Sequence, residues 1–363
     1  SAEKGDQIVF IDYLRTWGTN KIIIDSNGLN FQGNADTYTV EYDTDGQSLN
    51  IVYSDATNGW IPLDDDASAD EPVAPPTQKA IFAYGYSDDY VSMSNLVNSS
   101  GVVATDVTGV GSARSNMAGA TYGTDKAIAA YGDTGSKVSL SNLISNSGVV
   151  ASDVTGVGTA RGNLAAAEYG VGLAIFGYGN TGSRTGITNL VSNSGVVASD
   201  VSGVGTARDQ LAAARYGTDK AIFGYGETPT DVSLTNLVSN TGVVGSDVSG
   251  VGTARMGLAA TSYGGDKAIF GHGSTGHPTY LSMTNLVSNS GVVSSDVTGV
   301  GTVRGYISAT SYGGDKAIFA YGFQPPNTNI SNLVSNSGVV ATDTTGVGTA
   351  RRGLAAAGFS SSA

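Results

Sequence analysis

The chain contains no cysteine, 8 prolines and 2 histidines among 363 residues, and only 13% of its positions are charged, against about 25% in an ordinary globular protein. Without cysteine there are no disulfide staples, thiolate metal sites or thiol nucleophiles, so stability has to come from packing. The two histidines, His272 and His277, lack a third ligand at helical or hairpin spacing, so no zinc centre, and no metal or cofactor of any kind, is expected. No run approaches the roughly 18 apolar residues of a membrane span, and no charged leader followed by an apolar run opens the chain. Solubility without membrane insertion is therefore expected. The net charge of −13 argues against nucleic acid, because phosphate binding needs clustered positive charge.

That charge is unevenly placed. Residues 1–77 carry fourteen Asp/Glu and three Lys/Arg, a net of −11, whereas residues 78–363 carry seventeen and fifteen, a net of −2. Both tryptophans, Trp17 and Trp60, also lie in the first part. The stretch DDDASADEPVAPPT at 64–77 joins the two, and its acids and prolines favour an extended, solvated linker. Three regions are expected: a small β module at 1–63, the linker at 64–77, and a repeat domain at 78–363.

What is abundant is glycine, at 52 residues, and repetition. Asn-Leu recurs at Asn95, Asn142, Asn189, Asn236, Asn285 and Asn332, inside phrases such as TNLVSNSGVVASDVTGVGTAR. Each phrase closes on an arginine, at Arg114, Arg161, Arg208, Arg255, Arg304 and Arg351, with steps of 47, 47, 47, 49 and 47. This is one unit copied six times. Within it, segments such as NLAAAEYG, LAIFGYG, GITNLVS and GVVASDV read as four short strands separated by Gly, Asn, Ser and Asp. Alternation places Ala174, Phe176 and Tyr178 on one face and Ile175 and Gly177 on the other. Four strands per unit of this length predict the blade of a β-propeller.

The first copy starts with KAIFAYG and lacks the preceding LAAA strand, and the last ends in RRGLAAAGFS. The two fragments complete one blade, which suits a closed ring; an open stack needs polar caps instead. The expected fold is thus all-β, a six-bladed β-propeller of four-stranded blades. Its small inner residues, Ala165–Ala167 and Ala212–Ala214, would converge on the axis.

The unit RDQLAAARYGTDKAIFGYG, from Arg208 to Gly226, resembles the kelch repeat over residues 79–359. It departs from that pattern in having Gly-Tyr-Gly or Ala-Tyr-Gly for the paired glycines and in lacking the outer-strand Trp. Residues 5–63 read as β-strands with Asn27-Gly28 and Asp45-Gly46 as hairpin turns. A core this small would gain from being shared between chains. The phrases GDQIVFID, NGLNFQG and NGWIPL are similar to a small β module of tailed-phage virion proteins, the tail-fibre and baseplate-associated ones especially. That resemblance implies location on a virion, other virion proteins as partners, and a homotrimer.

In an antiparallel blade of strands a to d, the b–c and d–a connections share one end. The b–c segments differ from unit to unit, as in YSDDYVSM, DTGSKVSL, ETPTDVSL and FQPPNTNI, and the residues after each arginine differ too, as in Asp209-Gln210 and Arg352-Gly353. The turns of the other end are nearly uniform. Drift of unconstrained loops would not spare one end, so the variable end is read as a recognition surface on a rigid scaffold. Its candidate contacts are Asp88, Asp89, Tyr90, Arg184, Glu227, Asp231, His277, Tyr280, Tyr306 and Phe323.

Each unit also has an Asp eight residues before its Arg: Asp106/Arg114, Asp153/Arg161, Asp200/Arg208, Asp247/Arg255, Asp296/Arg304 and Asp343/Arg351. These are read as structural ion pairs. An adjacent Asp-Lys pair recurs in four units and is replaced by Gly172-Leu173 in the third, which points to a turn. His272 stands where neighbouring units have Tyr225 and Tyr321, as a packed substitute. A sialidase-like Ser-x-Asp-x-Gly-x-Thr-Trp box is missing, and without cysteine the Cys–Tyr cofactor of a galactose-oxidase-type enzyme is excluded.

The expected function is a non-enzymatic phage fibre or adhesin on the virion surface whose loops bind a host-surface glycan or outer-membrane component. Alternatives are a secreted, extracellular bacterial lectin-like propeller of kelch type, a ligand-free decoration protein, and a glycan-cleaving enzyme, for which Asp88, Asp89, Glu227 and Asp231 are the loop acids to test.

Overall fold

The computed structural model describes residues 2–35, 40–63, 78–276 and 278–360. The expected linker and His277 lie outside the described residues. The chain divides into two compact units, Ser1–Pro76 and Thr77–Ala363. Among the described residues every regular element is a strand, and no helix is long and apolar enough to cross a membrane.

In the first unit, strand β1 (Gln7–Ile11) pairs antiparallel with β4 (Ser48–Asp55), which pairs with β5 (Gly59–Pro62); β2 (Ile22–Ile24) pairs with β3 (Val40–Tyr42). Phe31, Val40, Tyr42, Leu49, Ile51, Tyr53 and Trp60 form its core. The two expected hairpin turns do not join paired strands. Asn27-Gly28 lies within the long connection from β2 to β3, and Asp45-Gly46 leads from β3 to β4, which belong to different sheets. The Gly46 turn is fixed instead by Asp12, whose carboxylate accepts from the amides of Thr16, Trp17 and Gly46. The tight hairpin joins β4 to β5, where the Asp55 carboxylate accepts from the amides of Thr57 and Asn58.

The second unit consists of three-stranded antiparallel sheets. Strands β6 (Gln78–Tyr86) and β7 (Tyr90–Val97) open it. Then follow β8 (Ala118–Tyr122), β9 (Lys126–Ala130) and β10 (Ser141–Ile144); β11 (Ala165–Tyr169), β12 (Leu173–Gly177) and β13 (Thr188–Val191); and β14 (Ala212–Tyr216), β15 (Lys220–Gly224) and β16 (Thr235–Val238). Strands β17 (Ala259–Tyr263), β18 (Lys267–Ser274) and β19 (Tyr280–Val287), then β20 (Ser308–Tyr312), β21 (Lys316–Ala320) and β22 (Ser331–Val334) continue the series. The last strand, β23 (Ala355–Ser360), returns to pair with β6, Ser360 opposite Gln78, and so supplies the strand that the first copy lacks.

The middle strand of each sheet is almost wholly buried, which explains both its continuous apolar run and the scarcity of charge. The expected fourth strand is reduced to two isolated bridges. In the third copy, Thr188 pairs with Val201 and Val191 with Val197, so that between the bridges two residues face three. The extra residue is a bulge, and Asn189 fills it by donating from Nδ2 to the Ala198 carbonyl and to Asp200 Oδ1, both at 2.9 Å.

A second departure concerns Tyr178. Alternation puts it on the face of Phe176, yet it packs with Ile175 and against Phe223, ring centroids 5.2 Å apart. Its φ of +64°, followed by Gly179 at +104°, reverses the side on which it emerges. Tyr84, Tyr131, Tyr225 and Tyr321 share this left-handed conformation, which costs a non-glycine residue roughly 1–2 kcal/mol. The benefit lies across the gap to the next sheet. Arg208, fully buried, stacks over the Tyr178 ring at 4.3 Å. It donates from Nε to the Tyr225 carbonyl (2.9 Å), from Nη1 to that of Thr206 (3.2 Å) and from Nη2 to Asn236 Oδ1 (2.7 Å).

The same clasp joins Arg114 to Tyr84, Arg161 to Tyr131, Arg255 to Tyr225 and Arg351 to Tyr321, at 4.2–4.5 Å. The acid near each arginine is not the one eight residues earlier. Arg114 lies 3.5 Å from Asp153, Arg208 3.9 Å from Asp247, Arg304 3.7 Å from Asp343 and Arg351 3.8 Å from Asp106. The reason is topological: each arginine leads into the inner strand of the following sheet, so it meets that sheet's acid. Asp200 and Asp296 hold their clasps through Thr159 and Thr253 in the same way. Gly205 (φ +76°) must be glycine here, because a Cβ would lie 2.3 Å from Asp247 Oδ1.

One clasp differs. His272 faces Arg304 and is fully buried, and among the described residues neither of its ring nitrogens nor Arg304 Nε meets a partner in hydrogen-bond geometry. Burial, with the charges of Arg304 and Arg255, holds the imidazole well below its ordinary pKa, against a weaker opposing pull from Asp343 and the Leu281 carbonyl. Burial also pushes Arg304 down to about 10.

Inner strands β8, β11, β14, β17, β20 and β23 each contact the next, and β23 contacts β8. At one end, six backbone hydrogen bonds run in a cycle: Asn163 donates to Asn116, Gln210 to Asn163, Gly257 to Gln210, Tyr306 to Gly257, Gly353 to Tyr306 and Asn116 to Gly353, at 2.7–3.2 Å. At the other end, Asp125, Asp219, Asp266 and Asp315 of the Asp-Lys turns accept from Asn146, Asn240, Asn289 and Asn336.

Breaking a clasp leaves buried polar groups unpaired, so Arg208→Ala is expected to lose about 3–5 kcal/mol of stability. Arg208→Lys should also destabilise, because an ammonium cannot reproduce the fork; thermal denaturation checks both. For His272 the neutral form is favoured in the folded state, so the unfolded chain binds the extra proton below its own pKa of about 6.5. Stability from this site is full above that pH and is lost as pH falls. The clasp carboxyls act in a more acid window: burial raises the Asp247 pKa, but hydrogen bonds from Thr206 and Asn236 outweigh it and hold the group below its ordinary value. His272→Tyr is therefore expected to raise the melting temperature, by a margin that grows between pH 7.5 and 5.

Candidate functional site

The variable residues are built on paired backbone. In each copy the residue after the arginine forms a bridge with the b–c loop: Ser115 with Asp133, Gly162 with Asn180, Asp209 with Glu227, Met256 with Ser274, Gly305 with Phe323 and Arg352 with Tyr86. The next residue belongs to the hydrogen-bonded cycle. All six members of the cycle have φ between +51° and +64°, and this turn aims their side chains around the axis. Asn116, Asn163, Gln210, Gly257, Tyr306 and Gly353 thereby rim an axial pit of about 80 Å³. Its floor is Met117, Leu164, Leu211, Leu258, Ile307 and Leu354, all buried. Gly257 leaves room for the Tyr306 ring, whose Cδ1 lies 3.5 Å from where a Cβ would stand.

Charged groups gather on one side of the pit. Arg184 donates from Nε to Asp209 at 2.8 Å and lies 2.9 Å from Glu227 through Nη2. Asn180 donates to Asp209 and Gln210 to Glu227, each at 3.0 Å. Asp231 pairs with Glu227 across the same loop; burial, and then the Glu227 charge, push its carboxyl above the ordinary range. Arg184 is therefore a structural tie between two acids and not a free contact.

Aromatic groups gather on the other side. Arg352 lies 4.4 Å over the Phe323 ring and 5.4 Å from that of Tyr86. Tyr86 meets Tyr90 edge-on at 5.4 Å, and Tyr280 meets Phe323 at 5.9 Å. Tyr90 donates its hydroxyl to Asp133 at 3.4 Å, and Lys137 pairs with Asp133 at 2.5 Å. Tyr306 connects the two groups: burial raises its pKa, and Tyr280, Arg352, Glu227 and Asp209 all act on it electrostatically.

Tyr90, Arg184, Glu227, Asp231, Tyr280, Tyr306 and Phe323 thus share one end of the second unit with the axial pit. Asp88 and Asp89 are exposed at the tip of the β6–β7 turn, where Asp89 accepts from the Tyr90 amide. Sequence reasoning flags Arg352, Asp209, Gln210 and Tyr86 only as members of variable segments. The signal for Arg352 is that the same position is Ser115, Gly162, Asp209, Met256 and Gly305 in the other copies. Among the described residues, no group of three or more His, Cys, Asp or Glu is placed to hold a metal. No protein-family model and no curated protein matches the chain.

Replacing Glu227 by Gln removes one of the two causes that raise the Asp231 pKa. Its carboxyl is expected to titrate at a lower pH than in the parent while staying above the ordinary value, as carbon-13 NMR titration would show.

Proposed function

We propose that the second unit is a closed six-bladed β-propeller and that the chain is a non-enzymatic phage virion protein, a fibre or adhesin that binds a host-surface glycan. Closure is supported by the cycle of six backbone hydrogen bonds and by the pairing of β23 with β6. The observation that carries recognition is the joint placement of aromatic, acidic and basic side chains around an axial pit. They occupy the positions at which the six copies differ, while the clasps behind them repeat. Aromatic rings beside hydrogen-bonding groups suit sugars, which present both C–H faces and hydroxyls. Gln78 and Ser360 face each other at the opposite end of their sheet from the pit.

The virion assignment, its virion-protein partners and a trimeric state rest on the resemblance of the first unit. Its surface is compatible with contact between copies. Ile8, Val9, Ile11, Tyr13, Leu14 and Ile23 are exposed, on a stretch, residues 7–24, that carries one acid and two bases within an otherwise acidic module. Low charge and exposed apolar groups are what the centre of an interface requires. A second reading, glycan cleavage, is favoured by the raised Asp231 carboxyl beside Glu227.

Two measurements on the native source test the proposal. Mass spectrometry of purified particles is expected to find the chain, and the recombinant full chain is expected to block particle adsorption to host cells without releasing reducing ends from host polysaccharide. Absence from particles overturns the virion assignment, and release of reducing ends overturns the non-enzymatic one.

A further inference from the structure

We infer that Arg352 anchors an anion site that takes a carboxylate or phosphate group borne by a surface glycan, an inference that rests on the glycan-recognition reading above. Among the described residues, the other cations of the variable loops are engaged, Arg184 by Asp209 and Glu227 and Lys137 by Asp133. The arginines of the clasps are buried and bound. Arg352 is only partly buried, and its contacts are the faces of two rings, Phe323 at 4.4 Å and Tyr86 at 5.4 Å. No hydrogen bond or ion pair engages its guanidinium among the described residues.

A ring contact attracts the guanidinium charge without supplying an acceptor for its paired N–H groups, the donors that match a carboxylate or phosphate. The rings are themselves fixed. The Tyr86 backbone exchanges hydrogen bonds with Arg352, and Asn327 donates to the carbonyls of Tyr86 and Ser87 at 3.2 and 3.0 Å. The groups around the guanidinium are thus held before any ligand arrives, which lowers the ordering cost of binding. Gly353, the next residue, rims the axial pit, so the site adjoins it.

The surroundings favour an anion carried by a sugar over a free one. Asp88 and Asp89 stand exposed on the turn that follows Tyr86. Carboxylates repel a bare ion but accept hydrogen bonds from sugar hydroxyls. The ligand class is an acidic glycan, with uronate or phosphate on a unit that also presents hydroxyls.

The full chain and its variants would be applied to an array of uronate-bearing, phosphate-bearing and neutral bacterial oligosaccharides, with affinities for the bound ones from calorimetry. Binding is expected to be confined to acidic members and to weaken as salt rises. It should fall at least tenfold when the carboxyl is reduced or the phosphate removed, and equally in Arg352→Gln. Arg352→Lys keeps the charge without the fork and should recover only a part. Phe323→Leu, which keeps the arginine but removes one ring, should give an intermediate loss. An unchanged melting temperature for Arg352→Gln would separate lost binding from lost folding. Whichever acidic class binds identifies the source of the anion. Binding of neutral members that Arg352→Gln leaves intact would overturn the anion site while sparing glycan recognition, and binding to no member would overturn both.

Discussion

The second unit depends on a guanidinium buried between two sheets and stacked on a tyrosine of the sheet before it. Each such arginine, as at Arg208 over Tyr178, touches three chain segments of its own sheet and one ring of its neighbour. A buried charge is costly unless its hydrogen bonds are made, and here three different acceptors meet it. The backbone bends to permit this, since the stacked tyrosines take a left-handed conformation that only the completed clasp rewards. The clasp therefore acts as a gauge of spacing: a sheet slightly out of place leaves a charge unpaired. The His272 junction shows the contrast: among the described residues its imidazole nitrogens and Arg304 Nε make no hydrogen bond, whereas in the other clasps the arginine Nε donates to a backbone carbonyl of its own sheet.

A scaffold held by buried clasps directly behind the variable surface frees that surface to vary. The bridge positions and the hydrogen-bonded cycle are defined by backbone, so almost any side chain can occupy them without disturbing the clasp. That is how Ser115, Gly162, Asp209, Met256, Gly305 and Arg352 come to share one structural position. The result is a repeating frame with a non-repeating surface. Acids tied by Arg184 lie on one side, aromatic rings around Arg352 lie on the other, and Tyr306 stands between them.

Much of the frame was legible in the sequence. The arginine spacing gave the number of copies, the apolar runs gave the middle strands, and the split copy at the two ends foretold the pairing of β23 with β6. Three features were not legible, each for a physical reason. Alternation assumes extended backbone, so the side on which Tyr178 emerges was misassigned where φ turns positive. Counting residues pairs Asp200 with Arg208, whereas the chain crosses to the next sheet between them and Arg208 meets Asp247. The outer segment has the composition of a strand, but one extra residue opposite Asn189 breaks it into separate bridges. In the variable end, residue type exposed Tyr280, Tyr306 and Phe323 as candidates. What Arg352 does depends on rings from two loops distant in sequence, Tyr86 and Phe323, which no local pattern connects.

The most direct test of this account is residue-resolved hydrogen exchange of the six amides in the cycle, those of Asn116, Asn163, Gln210, Gly257, Tyr306 and Gly353. A ring joined as firmly at the split copy as elsewhere predicts slow exchange at all six, with protection at Asn116 and Gly353, where the two ends of the repeat meet, matching that at the other four. Rapid exchange confined to Asn116 and Gly353 would mean that the ends part independently of the rest, and would contradict the closed propeller proposed for this unit.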